Sequence, residues 1–548
     1  MQELLSLKGN IIKYNEESEF IDIEDILLER FNGDFKEEVS LDDLHNPYLL
    51  VGMKEAVERI KKAKENSEKV MIFGDYDVDG VTSTSILMHF FKKVGIIASY
   101  RLPHRINDGY GLKNYFIDEF DSIGIDLVIT VDCGTRDIEV IKYAKEKGID
   151  VIITDHHSVP EIIPEEAIAI INPKRPDCSY PFKYLSGAGV AFKLMSALAH
   201  ELLSKNEAEK YIEETIDIAA IGTVADCMSI VGENRIIVEA GLKQIKKSRS
   251  RGIRKLIEQK IHDDLDSDIF GFLIGPRLNA AGRLDTPYKA VNLILNNSDS
   301  VEETIEEIEN LNNSRKVLTT KFVNLALENI NPNDNIIFYH STEITHGIIG
   351  IVAGRLTEKY YRPSIVLIED EEKLVASCRS PEFFSIVEIL EKYKDYFVAF
   401  GGHKQAAGFT ILKSKFEDFK KEILKEVNKI DFTNHKKTIE IDKIIRPEDI
   451  GFNFLNKINK YKPFGMGNKK PVFLIKNLNY EKISYLGQGV DHLKVDTKYG
   501  FKICAFGLGE FMEKIKKSEN ISIIFELNLD TFNGRKNLML NIQDIIIN

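Results

Sequence analysis

Asp75, Asp77 and Asp79 alternate in "GDYDVDG" (74–80). Asp132 follows an apolar run in "DLVITVDCGT" (126–135), and Asp155, His156 and His157 follow another in "VIITDHH" (151–157). Asp226 ends a fourth such run in "IGTVADCMSI" (221–230). Carboxylates brought together repel one another and are costly to bury. A divalent cation removes both problems. Mixed Asp and His ligation suits Mn²⁺, and an Asp bridging two ions about 3.5–4 Å apart is a recurring arrangement for phosphoryl chemistry. "DYDVDG" also matches the first half of a calcium-binding helix–loop–helix. That loop needs a bidentate Glu at its twelfth position; here the twelfth residue is Ile86, and the preceding segment reads as a strand. Three Asp in a solvated turn would explain the first motif alone, but not the other three beside it.

These residues need elements that bring them together. "KVMIFG" (69–74), "DLVITV" (126–131), "VIIT" (151–154) and "AIAIIN" (167–172) read as short buried strands, and "TSTSILMHFFKKVG" (82–95) and "DIEVIKYAKEKG" (137–148) as helices between them. Strands alternating with helices predict a parallel sheet. Residues just past its strands gather at the carboxyl edge, where ligands bind. Residues 187–330 turn helical, ending in one long polar helix, and "NPND" (331–334) opens a second α/β region. From about 431, short segments with Gly turns predict a small β-barrel. The predicted fold is thus α/β: a parallel-sheet domain (46–300) preceded by an N-terminal segment (1–45), a connecting helix (301–333), a second α/β domain (334–430) and a C-terminal barrel (431–548).

At 548 residues and 43% hydrophobic content, the chain can bury several cores. No apolar run reaches membrane-spanning length, and the start lacks the basic and apolar regions of a signal peptide. Its five cysteines are scattered and form no CxxC pair, which predicts a reducing, cytoplasmic setting and no zinc site. A net charge of −13 argues against a nucleic-acid partner until it is divided. Residues 411–548 carry 25 Lys and Arg against 18 Asp and Glu, so a basic tail follows an acidic body.

Four further motifs suit phosphate. Arg105 in "LPHRINDGYGL" (102–112) can fork onto one. "GPRLNAAGRLDTP" (275–287) places Arg277, Asn279 and Arg283 among small residues that allow close backbone approach. "ASCRSPE" (376–382) offers Ser377, Arg379 and Ser380. "GGHKQAAGFT" (401–410) sets Gly401, Gly402 and His403 in a stretch suited to a backbone cradle. "HGIIGIVAGRL" (346–356) reads as a loop entering a helix, with small residues packing on one side.

"GDYDVDG", "VDCGT", "TDHH" and "GTVADCM", in this order, resemble the motifs of the DHH phosphoesterase superfamily, and "GGHKQAAG" its associated second domain, DHHA1. "HNPYLLVGMKEAVERI" (45–60), "GPRLNAAGR" and "KPFGMGNKKPVFL" (462–474) narrow the resemblance to the RecJ single-stranded-DNA exonucleases, whose barrel is an oligonucleotide-binding (OB) fold. The resemblance implies two Mn²⁺ or Mg²⁺ ions held by Asp77, Asp79, Asp132, His156 and Asp226, with Asp132 bridging and Asp75 and His157 beside them. It implies 5′→3′ hydrolysis of single-stranded DNA to 5′-mononucleotides in repair and recombination. Asp155 would orient His156 from behind, and His157 would face the metal-bound water or the substrate phosphate. Arg105, Ser377 and Arg379 would anchor the 5′ end, with Arg283 and His403 at the scissile phosphate. Expected partners are single-stranded DNA, a single-strand-binding protein and a helicase, and the expected assembly is a monomer. Phe464 and Phe506 are candidate stacking residues that could equally fill the barrel core. The alternative is an oligoribonuclease or cyclic-dinucleotide phosphodiesterase of the same superfamily; such enzymes generally lack the barrel.

Overall fold

The computed structural model describes residues 1–547 apart from 32, 34, 259–264, 433–434, 488 and 531–535. The chain divides into two compact units, one of residues 34–313 with 461–469, the other of 1–33, 314–460 and 470–548. It opens with an antiparallel hairpin, β1 (Gln2–Leu5) and β2 (Ile11–Tyr14), which belongs to the second of these.

The first unit is built on β3 (Val70–Gly74), β4 (Ala98–Arg101), β5 (Leu127–Val131), β6 (Asp150–Thr154) and β7 (Ala169–Ile171). All pair in parallel, in the order β4-β3-β5-β6-β7. The central strands are buried throughout, as continuous apolar runs covered by helices on both faces must be. β4 is short and half-exposed, so it carries no apolar run to betray it in the sequence.

One face packs Phe73, Phe116 and Phe120, with ring centroids 5.1 and 6.4 Å from Phe73. Truncating one of these rings to Ala should cost about 3–5 kcal/mol. The other face packs against helices Val78–Val94 and Gly187–Leu202. Helix Val78–Val94 starts four residues before the expected 82 because Asp77 caps it: its carboxylate accepts the N–H groups of Asp79 (2.9 Å) and Gly80 (3.1 Å).

The second unit holds a five-stranded sheet of β8 (Ile337–Ser341), β9 (Ser364–Asp370), β10 (Lys373–Arg379), β11 (Phe397–His403) and β12 (Ala406–Leu412), ordered β11-β12-β10-β9-β8. Only β8 and β9 pair in parallel. Then come β13 (Thr438–Glu440), β14 (Lys443–Ile444), β15 (Phe473–Asn479), β16 (Lys482–Tyr485), β17 (Leu493–Asp496), β18 (Lys502–Ala505), β19 (Asn520–Asp530) and β20 (Asn537–Ile547). All but β13 form one seven-stranded sheet. The long helix Val301–Asn329 begins in the first unit and ends in the second.

Two boundaries differ from the sequence reading. Residues 1–33 are built into the C-terminal β region rather than standing apart: β13 pairs with β2, and the Lys443 ammonium donates to the carbonyls of Ser18, Glu19 and Ile21. Conversely, residues 461–469 leave the barrel for the first unit. There Phe464 N donates to Asp266 (2.9 Å) and Ile230 N to the Met466 carbonyl (2.7 Å). Phe464 is therefore buried in that unit and unavailable for stacking, whereas Phe506 is 46% exposed, with its ring edge-on to His492. Among the described residues, no helix is long and apolar enough to cross a membrane.

Candidate metal centre

Strand order reverses between β3 and β5, so the chain leaves these neighbours in opposite directions and a crevice opens at their carboxyl ends. Asp75 follows β3, Asp132 follows β5, and Asp155, His156 and His157 follow β6. Asp226 arrives separately, capping the C-terminus of helix Lys205–Ala225. The result is three overlapping clusters whose ligand atoms lie within 4.8 Å of one another: Asp75, Asp77 and Asp132; Asp79, His156 and Asp226; and Asp132, His156 and His157. His156 Nε2 is 3.1 Å from Asp132 Oδ1, 3.5 Å from Asp226 Oδ2 and 3.7 Å from Asp79 Oδ2.

Asp132 sits in the left-handed region at φ +61°, which Asp tolerates better than most residues and which turns its side chain inward. Gly187 makes the room, since a Cβ there would come within 2.6 Å of the Asp132 Cβ and Oδ1. The same helix start holds Asp79, whose carboxylate accepts the N–H groups of Gly187 (2.6 Å) and Ala188 (2.8 Å) at the positive end of the helix dipole.

The electrostatics are those of crowded, buried carboxylates that a divalent cation would stabilise. Burial, then Asp77, pushes the Asp79 carboxyl up to about 6. Burial, then Asp79, pushes Asp226 up to about 8. Asp75 and Asp132 are likewise raised well above the usual carboxylate range by burial and their acidic neighbours. The His156 imidazole falls to about 3 through burial and the adjoining His157, so it is neutral and able to ligate. Asp75 Oδ1 and Asp132 Oδ1 are buried without a hydrogen bond. Orphaned carboxylate oxygens and a neutral imidazole at chelating distance fit divalent cations with oxygen-and-nitrogen ligation.

Asp155 corrects one expectation. Its carboxylate accepts the backbone N–H groups of His156 (2.7 Å) and Thr135 (3.1 Å), but the ring it bonds is that of His157, at Nδ1 (2.8 Å). It therefore orients His157 and not the His156 ring. Burial pushes Asp155 up, but the bonds from His157 and Thr135 outweigh it and hold the carboxyl low. In return Asp155 outweighs desolvation and raises His157. The sequence reading missed Tyr110, whose hydroxyl donates to the Asp132 carbonyl (3.2 Å) and lies 3.2 Å from His157 Nδ1. Its place in "NDGYGL", five residues past Arg105, was the available signal.

The phosphate candidates separate. The Arg105 guanidinium lies over the Tyr76 ring, 4.1 Å from its centroid, between Asp75 and Asp77 in the chain. Arg283 and Asn279 are half-buried in helix Gly275–Leu284, which packs tightly enough at Gly282 that a Cβ would lie 2.6 Å from the Tyr76 carbonyl. Arg277 is otherwise engaged: Nε donates to Glu309 (2.9 Å) and Nη1 to the Leu273 carbonyl (2.7 Å), so it is buried in helix packing and does not face a phosphate. In the second unit, Arg379 donates to Ser377 Oγ (3.3 Å), and both face Gly350, where a Cβ would sit 3.1 Å from each. "GGHKQAAG" forms the tip of the β11–β12 hairpin, with Gly402 at φ +147° against Ala406 and Ala407. Gly401, Gly402 and His403 are exposed there.

Three family models match along the chain: the DHH family N-terminal domain over 69–223, the DHHA1 domain over 333–429 and the RecJ OB domain over 441–544. The single-stranded-DNA-specific exonuclease RecJ of Bacillus subtilis is 36% identical over 92% of this chain, which spans 64% of that protein's length. RecJ of Haemophilus influenzae is 31% identical over 91% of this chain and 92% of its own. The crystal structure of RecJ in complex with Mn²⁺ from Thermus thermophilus superposes with a TM-score of 0.83 at 26% identity, covering 98% of this chain and 80% of that one. Carrying a metal-ready acidic crevice in the first of these three domains, the chain belongs to the RecJ family of single-stranded-DNA-specific exonucleases, metal-dependent phosphodiesterases of the DHH type.

Proposed function

We propose that the protein removes 5′-mononucleotides from single-stranded DNA in the 5′→3′ direction, at a centre for two Mn²⁺ or Mg²⁺ ions. The observation that carries this is the pair of clusters meeting at Asp132: Asp75, Asp77 and Asp132 on one side, and Asp79, His156 and Asp226 on the other. Asp132 would bridge. Bound ions supply a nucleophile at neutral pH and charge for the leaving oxygen. The chain's residues do the rest. Gly187 and Ala188 hold Asp79 in place, and Asp155 accepts from His157 Nδ1 and favours the imidazolium, whose Nε2–H can then donate to a phosphate oxygen. Arg105 and Arg283 add fixed positive charge around Tyr76. Ser377 and Arg379, packed on Gly350, form an anion cradle suited to a terminal 5′-phosphate, with His403 and its glycines at the nearby hairpin β11–β12 of the same sheet. Arg277 positions the helix that carries Asn279 and Arg283.

We divide the chain into 46–300, joined by 461–469, a connecting helix at 301–333, a second domain at 334–430, and a last body of 431–460 and 470–548, joined by residues 1–33. Action in DNA repair and recombination, in the cytoplasm, as a monomer alongside a single-strand-binding protein and a helicase, extends the same reading. Free cysteines at all five positions agree with a reducing compartment. The test is degradation of single strands labelled at the 5′ or the 3′ end, with Mn²⁺, resolved by length. The expected result is early release of the 5′ label as mononucleotide; release from the 3′ end overturns the polarity.

A further inference from the structure

The acidic body of the chain contains one stretch of opposite character, "KQIKKSRSRGIRK" (243–255), with seven cations and no carboxylate in thirteen residues. In the first unit this stretch borders two adjoining clefts of about 750 and 1290 Å³ that share Arg249. Lys92, Lys93 and Lys210 line the larger one from two other helices, and Asn292, Asn296 and Gln244 add amide groups. Part of this charge is answered locally. Arg249 lies 3.4 Å from Glu214, and Arg251 lies 2.7 Å from Asp299 and 3.4 Å from Glu302. Across both clefts the lining still holds nine Lys and Arg against three Glu. His89 also lines the larger cleft, and its buried Nε2 has no hydrogen bond.

The clefts are built on the metal centre's own helices. Helix Val78–Val94 carries Asp79 in its first turn and Lys92 and Lys93 in its last, so at 1.5 Å per residue they lie about 20 Å apart. Helix Lys205–Ala225 carries Lys210 near its start and Asp226 at its end, about 24 Å away. The clefts are thus remote from the reaction, on the same rigid supports.

Their size and lining narrow the ligand. Together they exceed the roughly 300–1,000 Å³ that a small-molecule site occupies. Among the described residues that line them none is Phe, Tyr or Trp, and the neighbouring Tyr211 is covered by the Arg249 guanidinium 4.2 Å from its centroid. Proteins that grip single strands rely on exposed aromatic platforms, whereas lysines and amides without such platforms suit phosphate and sugar contacts on a backbone whose bases are already stacked. We propose that this basic double cleft is a second DNA-contact surface, which binds the phosphodiester backbone of the duplex portion of a DNA molecule whose single-stranded tail enters the metal centre.

This rests on the single-stranded-DNA reading above, and the test separates the two. Binding is measured with the full chain carrying Asp132→Asn, using a tailed duplex and a single strand of the tail's length. Lys92→Gln, Lys93→Gln and Lys247→Gln, all at exposed positions, are then added together. The expected result is on the order of tenfold weaker binding of the tailed duplex, with a salt dependence shallower by roughly three counterions. Affinity for the single strand, and its degradation by the triple variant with Asp132 intact, should be unchanged. Equal weakening for both DNAs would make the clefts part of the single-strand path and overturn the proposal. So would unchanged duplex binding, or loss of affinity for a short Asp/Glu peptide with the duplex unaffected. If the unmutated chain does not degrade single strands, the parent reading fails while the duplex measurement still stands.

Discussion

The metal centre and the second-unit residues proposed as an anion cradle differ in construction. The centre is buried: Asp132 is 2% exposed and Asp79 1%, and the side chains clustered with them are carboxylates and imidazoles. The hairpin tip of Gly401, Gly402 and His403 is exposed, and Arg379 on the same sheet shares its hydrogen bonds with Ser377 Oγ and a backbone carbonyl. Buried carboxylates crowded together are tolerable only when an outside charge answers them, so their geometry must be rigid and already made. The exposed hairpin tip is solvated until substrate arrives, so it can be looser, and each residue in it matters less, while Ser377 and Arg379 are half-buried.

The largest break in this contrast is Asp132→Asn. We expect activity on single strands to fall by at least about a thousandfold, while the metal-free chain melts higher, because a repelling buried carboxylate is gone. A melting curve with and without Mn²⁺ should show the stabilisation by metal reduced as well. Gly187→Ala comes next. Its Cβ would press on the Asp132 carboxylate, and a shift there should cost about a hundredfold in rate and about 1–3 kcal/mol of stability in denaturant titration.

Asp155→Asn should lose about 10–100-fold and also change the pH profile. Asp155 raises the His157 pKa, so the imidazolium persists to higher pH in the native enzyme. Without it, the activity that depends on a protonated His157 should disappear at lower pH, which a rate–pH profile would show as a falling limb displaced toward acid. Arg379→Ala should be milder, raising KM several-fold with kcat less affected; a fall in kcat with KM unchanged would mean that the cradle acts in the transition state after all.

The last expected effect is on the stability of the chain without metal, with no change of substrate contact. Burial, then Asp79, pushes the Asp226 carboxyl from an ordinary 3.8 up to about 8 in the fold without metal. Between these values the folded chain binds the extra proton, so this group's contribution is present at low pH and is lost as pH rises through 8. Asp226→Asn should therefore raise the metal-free melting temperature at pH 9 and leave it nearly unchanged at pH 4.

Much of the centre was legible because one rule of topology does the gathering. Parallel strands deliver their C-terminal residues to one edge, so Asp75, Asp132 and His156 converge whatever the loops do. Arg277 and Asp155 were less legible for the opposite reason. Arg277 stands in the same motif as Arg283, yet Glu309, thirty-two residues away on another helix, claims its guanidinium. Asp155 adjoins both imidazoles in the chain, and the course of the backbone past β6 decides which ring it meets.

By itself, the sequence determined the α/β class, the order of the domains, the divalent-metal chemistry and the residues that converge on it. These depend on periodicity, strand-end placement and residue type, all of them local. Tertiary structure alone decided that residues 1–33 complete the C-terminal body and that 461–469 leave it, that Asp155 serves His157, and that cations of three separate helices line one pair of clefts. Each of these depends on side chains or strands far apart in the chain meeting at hydrogen-bonding distance, and no local pattern encodes such a meeting.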